Sequence, residues 1–246
     1  SSACAPRLLY LQNDAIRNPS LLSSLYLFDW GQTLRLEEKL KLIVITDKRL
    51  KPDVVKSVEE ALKGGAPSIQ LRLKDSSTIE MVEIGKEVRK LTREYGALYF
   101  VNDRVDVALA TDADGVQLGT EDMPIELVRE KIAPHLIVGA SVHSVEEAIR
   151  AQKERAHFLG AGSVYFTSTK PGAKVIGLEG LREIVRSVSL PVVAIGGITA
   201  EKVPEVIEAG AIGVAVVSAV MGAPDVRKAT RELLDAIEKA LLKRYR

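Results

Sequence analysis

From Leu42 onward, short apolar runs rich in β-branched residues alternate with longer stretches of mixed polarity. The runs are Leu42–Ile45, Ser68–Leu71, Leu98–Val101, Gly115–Leu118, Leu136–Ala140, Phe158–Leu159, Val192–Ile195 and Gly213–Val217. Runs of this kind, bounded by turn residues, read as buried parallel strands. The stretches Thr78–Tyr95, Val145–Arg155 and Pro224–Lys243 place apolar residues three and four apart among charges, which predicts helices. Asp53 and Ser144 are predicted N-caps, and Gly96, Gly160 and Gly210 fall where the chain is expected to turn. Strand and helix alternating eight times in about 200 residues predict a closed (β/α)8 TIM barrel over residues 38–246. A doubly wound open sheet is the alternative, because strand order is not readable from one sequence.

Residues 1–37 stand outside this rhythm. They scatter Leu8, Tyr10, Leu21, Leu25, Phe28 and Trp30 among Ser, Asn and Asp. This N-terminal extension reads either as a short helix packed under the barrel or across a dimer contact, or as a tail or cloning product. No chemistry is assigned to it.

Polar signatures follow seven of the runs, which is where a barrel of βα units builds its active site. In Gln70-Leu71-Arg72-Leu73-Lys74, side chains alternate, so Gln70, Arg72 and Lys74 share one face. That face points inward, because the outer face meets helices. Cations there need an anionic partner. A phosphate or diphosphate ligand supplies one, and acids on other strands are the alternative. Asp103 follows Asn102 at one strand end and Asp122 follows the next strand. Two neighbouring carboxylates suit Mg²⁺, with phosphate oxygens and water completing its shell. Singly, Asp103 also reads as a partner for Arg104 or a helix cap, and Asp122 as an N-cap before Pro124.

Gly196-Gly197 and Val217-Ser218 end the last two strands, where loop N–H groups often bind phosphate. Two ordinary tight turns are the alternative. Thr167-Ser168-Thr169-Lys170 lies in a long loop that reads as a binding loop or as a solvated one. Ser141 and His143 alternate toward the mouth, with Val142 packing outward. No acid completing a hydrolytic triad is evident. His135 and His157 read as structural or exposed.

Composition narrows the partners. Lys+Arg 34 against Asp+Glu 33 leaves a net charge of +1, which gives no basic excess for nucleic acid or a membrane surface. No apolar run reaches the roughly 18 residues of a membrane span, and no stretch forms a secretory signal. Cys4 is the single cysteine, so no intrachain disulfide forms and a cytoplasmic location is expected. A homo-oligomer is compatible with the chain.

Taken together, Q-L-R-x-K, V-N-D-R-x-D-x-A, G-V-Q-L-G-x-E-D-M-P, G-A-S-V-H-S-x-E-E-A, T-S-T-K, A-I-G-G-I and V-S-A-V resemble the thiamine phosphate synthase family over about Leu42 to Arg246. The resemblance implies a (β/α)8 barrel that uses Mg²⁺ to join a hydroxymethylpyrimidine diphosphate to a thiazole phosphate. The products are thiamine phosphate and diphosphate, formed by dissociative substitution. It implies that Gln70, Arg72, Lys74, Asn102, Ser141 and Lys170 hold the pyrimidine diphosphate. By the same resemblance Asp103 and Asp122 bind Mg²⁺, and Thr167, Thr169, Gly197, Val217 and Ser218 hold the thiazole phosphate. The chain departs from the family at Leu73, commonly Glu, and at Phe166, commonly Pro. Three rivals remain: a thiazole tautomerase with a histidine near His143, a non-catalytic barrel binding phosphorylated ligands, and another phosphate-binding barrel enzyme. The first lacks parts of the diphosphate and metal set that this chain carries.

Overall fold

The computed structural model describes residues 36–244. The strands are β1 (Leu42–Ile45), β2 (Ser68–Leu71), β3 (Leu98–Asn102), β4 (Gly115–Leu118), β5 (Ile137–Val142), β6 (Phe158–Ala161), β7 (Val192–Ile195) and β8 (Gly213–Val216). They pair in chain order, all parallel, and β8 closes on β1. Closure removes the open-sheet alternative. Around them lie α1 (Val54–Lys63), α2 (Thr78–Glu94), α3 (Val105–Ala110), α4 (Ile125–Leu127), α5 (Val145–Lys153), α6 (Gly177–Ser187), α7 (Val203–Glu208), α8 (Ser218–Met221) and α9 (Val226–Arg244). α4 continues as a single wide turn over Val128–Ile132.

The local signals act as expected at most boundaries. The Asp53 carboxylate accepts from Lys56 N and caps α1. The Ser144 hydroxyl accepts from Glu147 N and caps α5. Gly96 and Gly210 take positive φ, 66° and 112°, at turns into β3 and β8. Gly160 differs: it sits inside β6, not at a turn. Its job is spatial. A Cβ there would stand 2.9 Å from Gln117 Nε2.

Strand alternation builds two apolar layers. Val44, Ile69, Leu71, Val101, Val116, Val138 and Val214 face outward and pack under the helices. Ile43, Ile45, Phe100, Phe158, Val193 and Ala215 face inward, with Leu36 and Leu40 in the same interior cluster. Leu36 and Glu37 are the described end of the segment set apart as 1–37; residues 1–35 lie outside the described residues. Phe100 and Phe158 meet edge to face at 5.6 Å and 71°. Glycines make room for them. A Cβ on Gly115 would lie 2.6 Å from Phe100, and one on Gly139 would lie 2.4 Å from Phe158 and 2.3 Å from Gln117 Oε1. Gly139→Ala should therefore overpack the interior and cost about 1–3 kcal/mol. A denaturant midpoint equal to wild type would contradict it.

His157 stitches the opposite end of the barrel. Its backbone N–H donates to Val138 O at 2.8 Å, and its Nδ1 accepts from Val138 N at 2.9 Å. Burial, aided by the nearby Arg129 charge, pushes its pKa down to about 4. The unfolded chain takes up this proton first, near the ordinary value of 6.5. Stability should thus fall as pH drops from about 6.5 toward 4, by up to about 3 kcal/mol from this group. His157→Asn should lose stability at pH 7 but show a shallower decline between pH 7 and 4.5 in denaturant titrations.

Candidate active site

Every residue singled out above for substrate or metal lines one cavity of about 370 Å³ at the C-terminal mouth of the barrel. Ile43, Phe158 and Val193 also line it, so the interior apolar layer is its floor.

The β2 end carries the cations. Past Leu71 the chain stays extended because Thr46 clamps it. The Thr46 hydroxyl accepts from Arg72 N at 2.9 Å and donates to Arg72 O at 3.0 Å. Alternation therefore continues, with Leu73 buried outward and Arg72 and Lys74 at the cavity. The acid-pairing alternative holds in part for Arg72: its Nη1 lies 3.8 Å from Asp47 Oδ2. Asp47 is shared, however, and its shorter bonds go to Arg49, at 2.9 Å from the backbone N and 3.2 and 3.0 Å from the guanidinium. Burial works to raise the Asp47 pKa, but Arg49 and Arg72 outweigh it and hold the carboxylate below its usual range. Burial lowers the Arg72 pKa, which marks a desolvated cation only partly compensated. Among the described residues, no acid forms an ion pair with Lys74 or Lys170.

The carboxylates face this end. Asp103 sits at φ 63°, a left-handed conformation uncommon for a residue with a side chain, and its N–H donates to Gln117 O at 2.8 Å. Neither single-residue alternative holds for it. Arg104 pairs with Asp106 at 2.7 Å and itself occupies the N-cap position of α3. Asp122 is likewise not a helix cap. Its Oδ2 accepts from Gly119 N at 2.7 Å, and Pro124 precedes α4 instead of opening it. Burial of the carboxyl, then repulsion from and hydrogen bonding with Asp122, raises the Asp103 pKa well above the ordinary carboxylate value. Asp103 is still open to solvent at the mouth. Two acids that repel each other on the open side of a cavity could hold a cation. Among the described residues there is no cluster of three or more His, Cys, Asp or Glu that would hold a metal alone. A pair of carboxylates with room for phosphate and water fits Mg²⁺ and does not fit a closed zinc site.

The third wall is made by two loops that zip together beyond the strands. Val164 N donates to Ile195 O at 2.9 Å, and Tyr165 N to Gly196 O at 3.0 Å. The contact requires glycine. Gly196 and Gly197 take φ 107° and 64°. A Cβ on Gly196 would lie 2.1 Å from Ser163 Oγ, and one on Gly197 would lie 2.4 Å from Phe166 O. The zip brings Thr167, Thr169 and Lys170 to the cavity, with the two threonine hydroxyls 2.7 Å apart. The loop is thus a built wall of the site, and Phe166 is 80% exposed on its rim. Gly196→Ala should break the zip. Amide exchange at Val164 and Tyr165 should speed up while β1–β4 stay protected; unchanged exchange would refute this.

Sequence reasoning missed several residues. Gln117 is 7% exposed, lines the cavity and donates to Ser141 Oγ at 3.2 Å. A lone amide inside the run Gly115–Leu118 was its signal. Asp47 follows the first run, where no polar signature was noted. His143 does reach the mouth, and Val142 packs outward. The acid not evident in sequence is Glu147, whose Oε2 lies 3.0 Å from His143 Nδ1 and accepts from His143 N at 2.8 Å. Its place four residues after His143, at the start of α5, was the signal in the sequence.

Fold and site together define a (β/α)8 barrel with an anion-directed, carboxylate-bearing cavity at its C-terminal mouth. The model of the family described as thiamine monophosphate synthase matches residues 42–220. The chain belongs to that family. It is 67% identical over 204 residues to a thiamine-phosphate synthase of Pyrococcus abyssi, covering 83% of this chain and 98% of that one. It is 50% identical over 206 residues to one of Methanococcus maripaludis, covering 84% and 99%. A solved structure of the thiamine phosphate pyrophosphorylase from Pyrococcus furiosus superposes with a TM-score of 0.79 at 64% identity, covering 84% of this chain and 99% of that chain.

Proposed function

We propose that the protein is a transferase that joins hydroxymethylpyrimidine diphosphate to thiazole phosphate, giving thiamine phosphate and diphosphate. Family membership and identities of 63–67% to thiamine-phosphate synthases support the reaction. One structural observation carries the mechanism: a repelling carboxylate pair and partly compensated cations share a cavity with a glycine-built loop wall. The tautomerase and non-catalytic readings are not favoured, because this chain keeps Arg72, Lys74, Asp103, Asp122 and Lys170 together at the mouth.

In this reading Arg72, Lys74 and Lys170 hold the diphosphate, and Gln70, Asn102 and Ser141 orient the pyrimidine. Asp103 and Asp122 hold Mg²⁺, which when bound supplies charge neutralisation for the departing diphosphate. The bond from the pyrimidine methylene to the diphosphate oxygen breaks, and the electron pair leaves with the diphosphate. The cations meet that growing charge without having to reorganise. The thiazole nitrogen then donates its pair to the methylene carbon. Thr167, Thr169, Gly197, Val217 and Ser218 hold the thiazole phosphate so that this nitrogen faces the carbon. No protein nucleophile takes part. Gln117 Nε2 fixes Ser141, which places the hydroxyl before substrate arrives. The described residues contain no helix long and apolar enough to cross a membrane, and the single cysteine favours the cytoplasm.

The direct test is product formation from the two substrates, read by mass spectrometry, with and without Mg²⁺. Thiamine phosphate should appear only with the metal; no product from folded protein and active substrates would overturn the proposal. Asp103→Ala and Asp122→Ala should each cut Mg²⁺-dependent turnover at least about 100-fold, as expected when a transition-state charge loses its preorganised partner. Thermal unfolding should show a retained fold. Near-normal turnover in the double variant would remove the metal assignment.

A further inference from the structure

Behind the zipped loops, outside the cavity lining, Lys202 Nζ donates to Gly197 O at 3.1 Å and stands 4.3 Å from the centre of the Tyr165 ring. One ammonium therefore touches both loops, one through a carbonyl and the other through a π face. Tyr165 is held in turn from α7, where its hydroxyl donates to Glu205. Lys202 itself is half-buried just before α7 and is not among the residues that line the cavity.

The Gly197 carbonyl is the important contact. In a trans peptide the C=O and the following N–H point in opposite directions. Drawing Gly197 O back toward Lys202 turns the Ile198 N–H the other way, toward the cavity. Ile198 lines that cavity although its side chain is only 3% exposed and packs in the outer apolar layer. What it offers the ligand is backbone. No acceptor among the described residues takes its N–H. A buried amide with no partner, on the wall carrying Gly197 and Ser218, needs an acceptor, and a phosphate oxygen bound at this wall supplies a charged one.

We infer that Lys202 is a positioning residue: by holding Gly197 O and the Tyr165 ring it aims the Ile198 N–H at the phosphate of the acceptor substrate. The identity of that substrate rests on the function proposed above; the clamp itself requires only a phosphate monoester at this wall. Lys202→Met keeps the length and apolar stem and removes only the ammonium. Lys202→Arg keeps a donor and a cation over the ring.

The test is calorimetric titration of thiazole phosphate and, separately, of diphosphate with Mg²⁺, beside nitrogen–proton spectra of the Ile198 amide during addition of inorganic phosphate. Losing one aimed donor to a charged oxygen should weaken thiazole phosphate binding about tenfold. Diphosphate binding should be unchanged in Lys202→Met, and Lys202→Arg should restore affinity to within about threefold. The Ile198 amide should shift downfield with phosphate in wild type and not in Lys202→Met. Equal weakening toward both ligands, an unchanged thiazole phosphate affinity, or an Ile198 amide indifferent to phosphate in wild type would each overturn the inference. Wild type that binds phosphate with the Ile198 shift but forms no product would sink the proposed function and leave the clamp standing.

Discussion

Phe100 and Phe158 meet edge to face in the middle of the barrel, and the usable depth of the mouth depends on that contact. Two rings fill the interior only because the facing strand positions are Gly115 and Gly139. Filled, the interior has no room for a channel of water, so polar atoms one layer higher sit on an apolar floor. Charges close to such a floor are poorly solvated from below. The floor thus does two things. It supplies the dispersion and hydrophobic energy that closes the barrel, and it raises the electrostatic stakes for every ionised group above it.

Those groups are not arranged for the stability of the empty fold. Asp47 is divided between Arg49 and Arg72 and gives its shorter contacts to Arg49. Burial, and after it the charge and hydrogen bonding of Asp122, raise the proton affinity of Asp103. Asp103 also adopts a backbone conformation that favours glycine. A protein selected only for stability would have given Arg72 a hydrogen-bonded acid of its own in place of the long, shared contact with Asp47. Keeping cations and anions separately undercompensated leaves both to be satisfied from outside. In the proposed reaction the ligand set that does so is a polyanion together with a divalent cation.

The barrel was legible because each strand needs an apolar run and each helix needs its own periodicity; six of the eight runs, those of β1, β2, β3, β4, β7 and β8, coincide with the observed strands to within one residue at each end. The site was legible where a polar residue interrupts that pattern at a strand end, as at Arg72, Lys74 and Asp103. Other features were hidden because they depend on distance across the fold. Gly160 looked like a turn because its local signal matches one; its real constraint, the Gln117 amide, is contributed by a strand more than 40 residues earlier. Asp122 looked like a cap because Pro124 follows it, but the tight turn to Gly119 competes for the same carboxylate and wins. The zip between Ser163–Phe166 and Gly196–Gly197 is likewise a pairing of two loops, and no property of either loop alone reports it.

In the proposed reaction the two ends of the cavity would meet anions by different physical means. At the β2 and long-loop end the contacts are Arg72, Lys74 and Lys170, with Lys74 and Lys170 exposed side chains. Such chains carry rotamer entropy and can follow a charged group as it moves away. At the β7–β8 end Gly197, Val217 and Ser218 line the cavity on backbone held by glycine geometry and buried neighbours. Fixed dipoles lose little entropy on binding and tolerate little displacement. In the proposed reaction these properties fall where the chemistry needs them. The diphosphate must gain charge, separate from carbon and depart, so it is met by adaptable cations. The thiazole phosphate must stay still while its ring nitrogen finds the carbon, so it is met by a rigid cup. Exchanging the two would leave the nucleophile loosely held and the leaving group trapped, which is a physical reason for a phosphate wall of backbone and short hydroxyl side chains in place of more lysines.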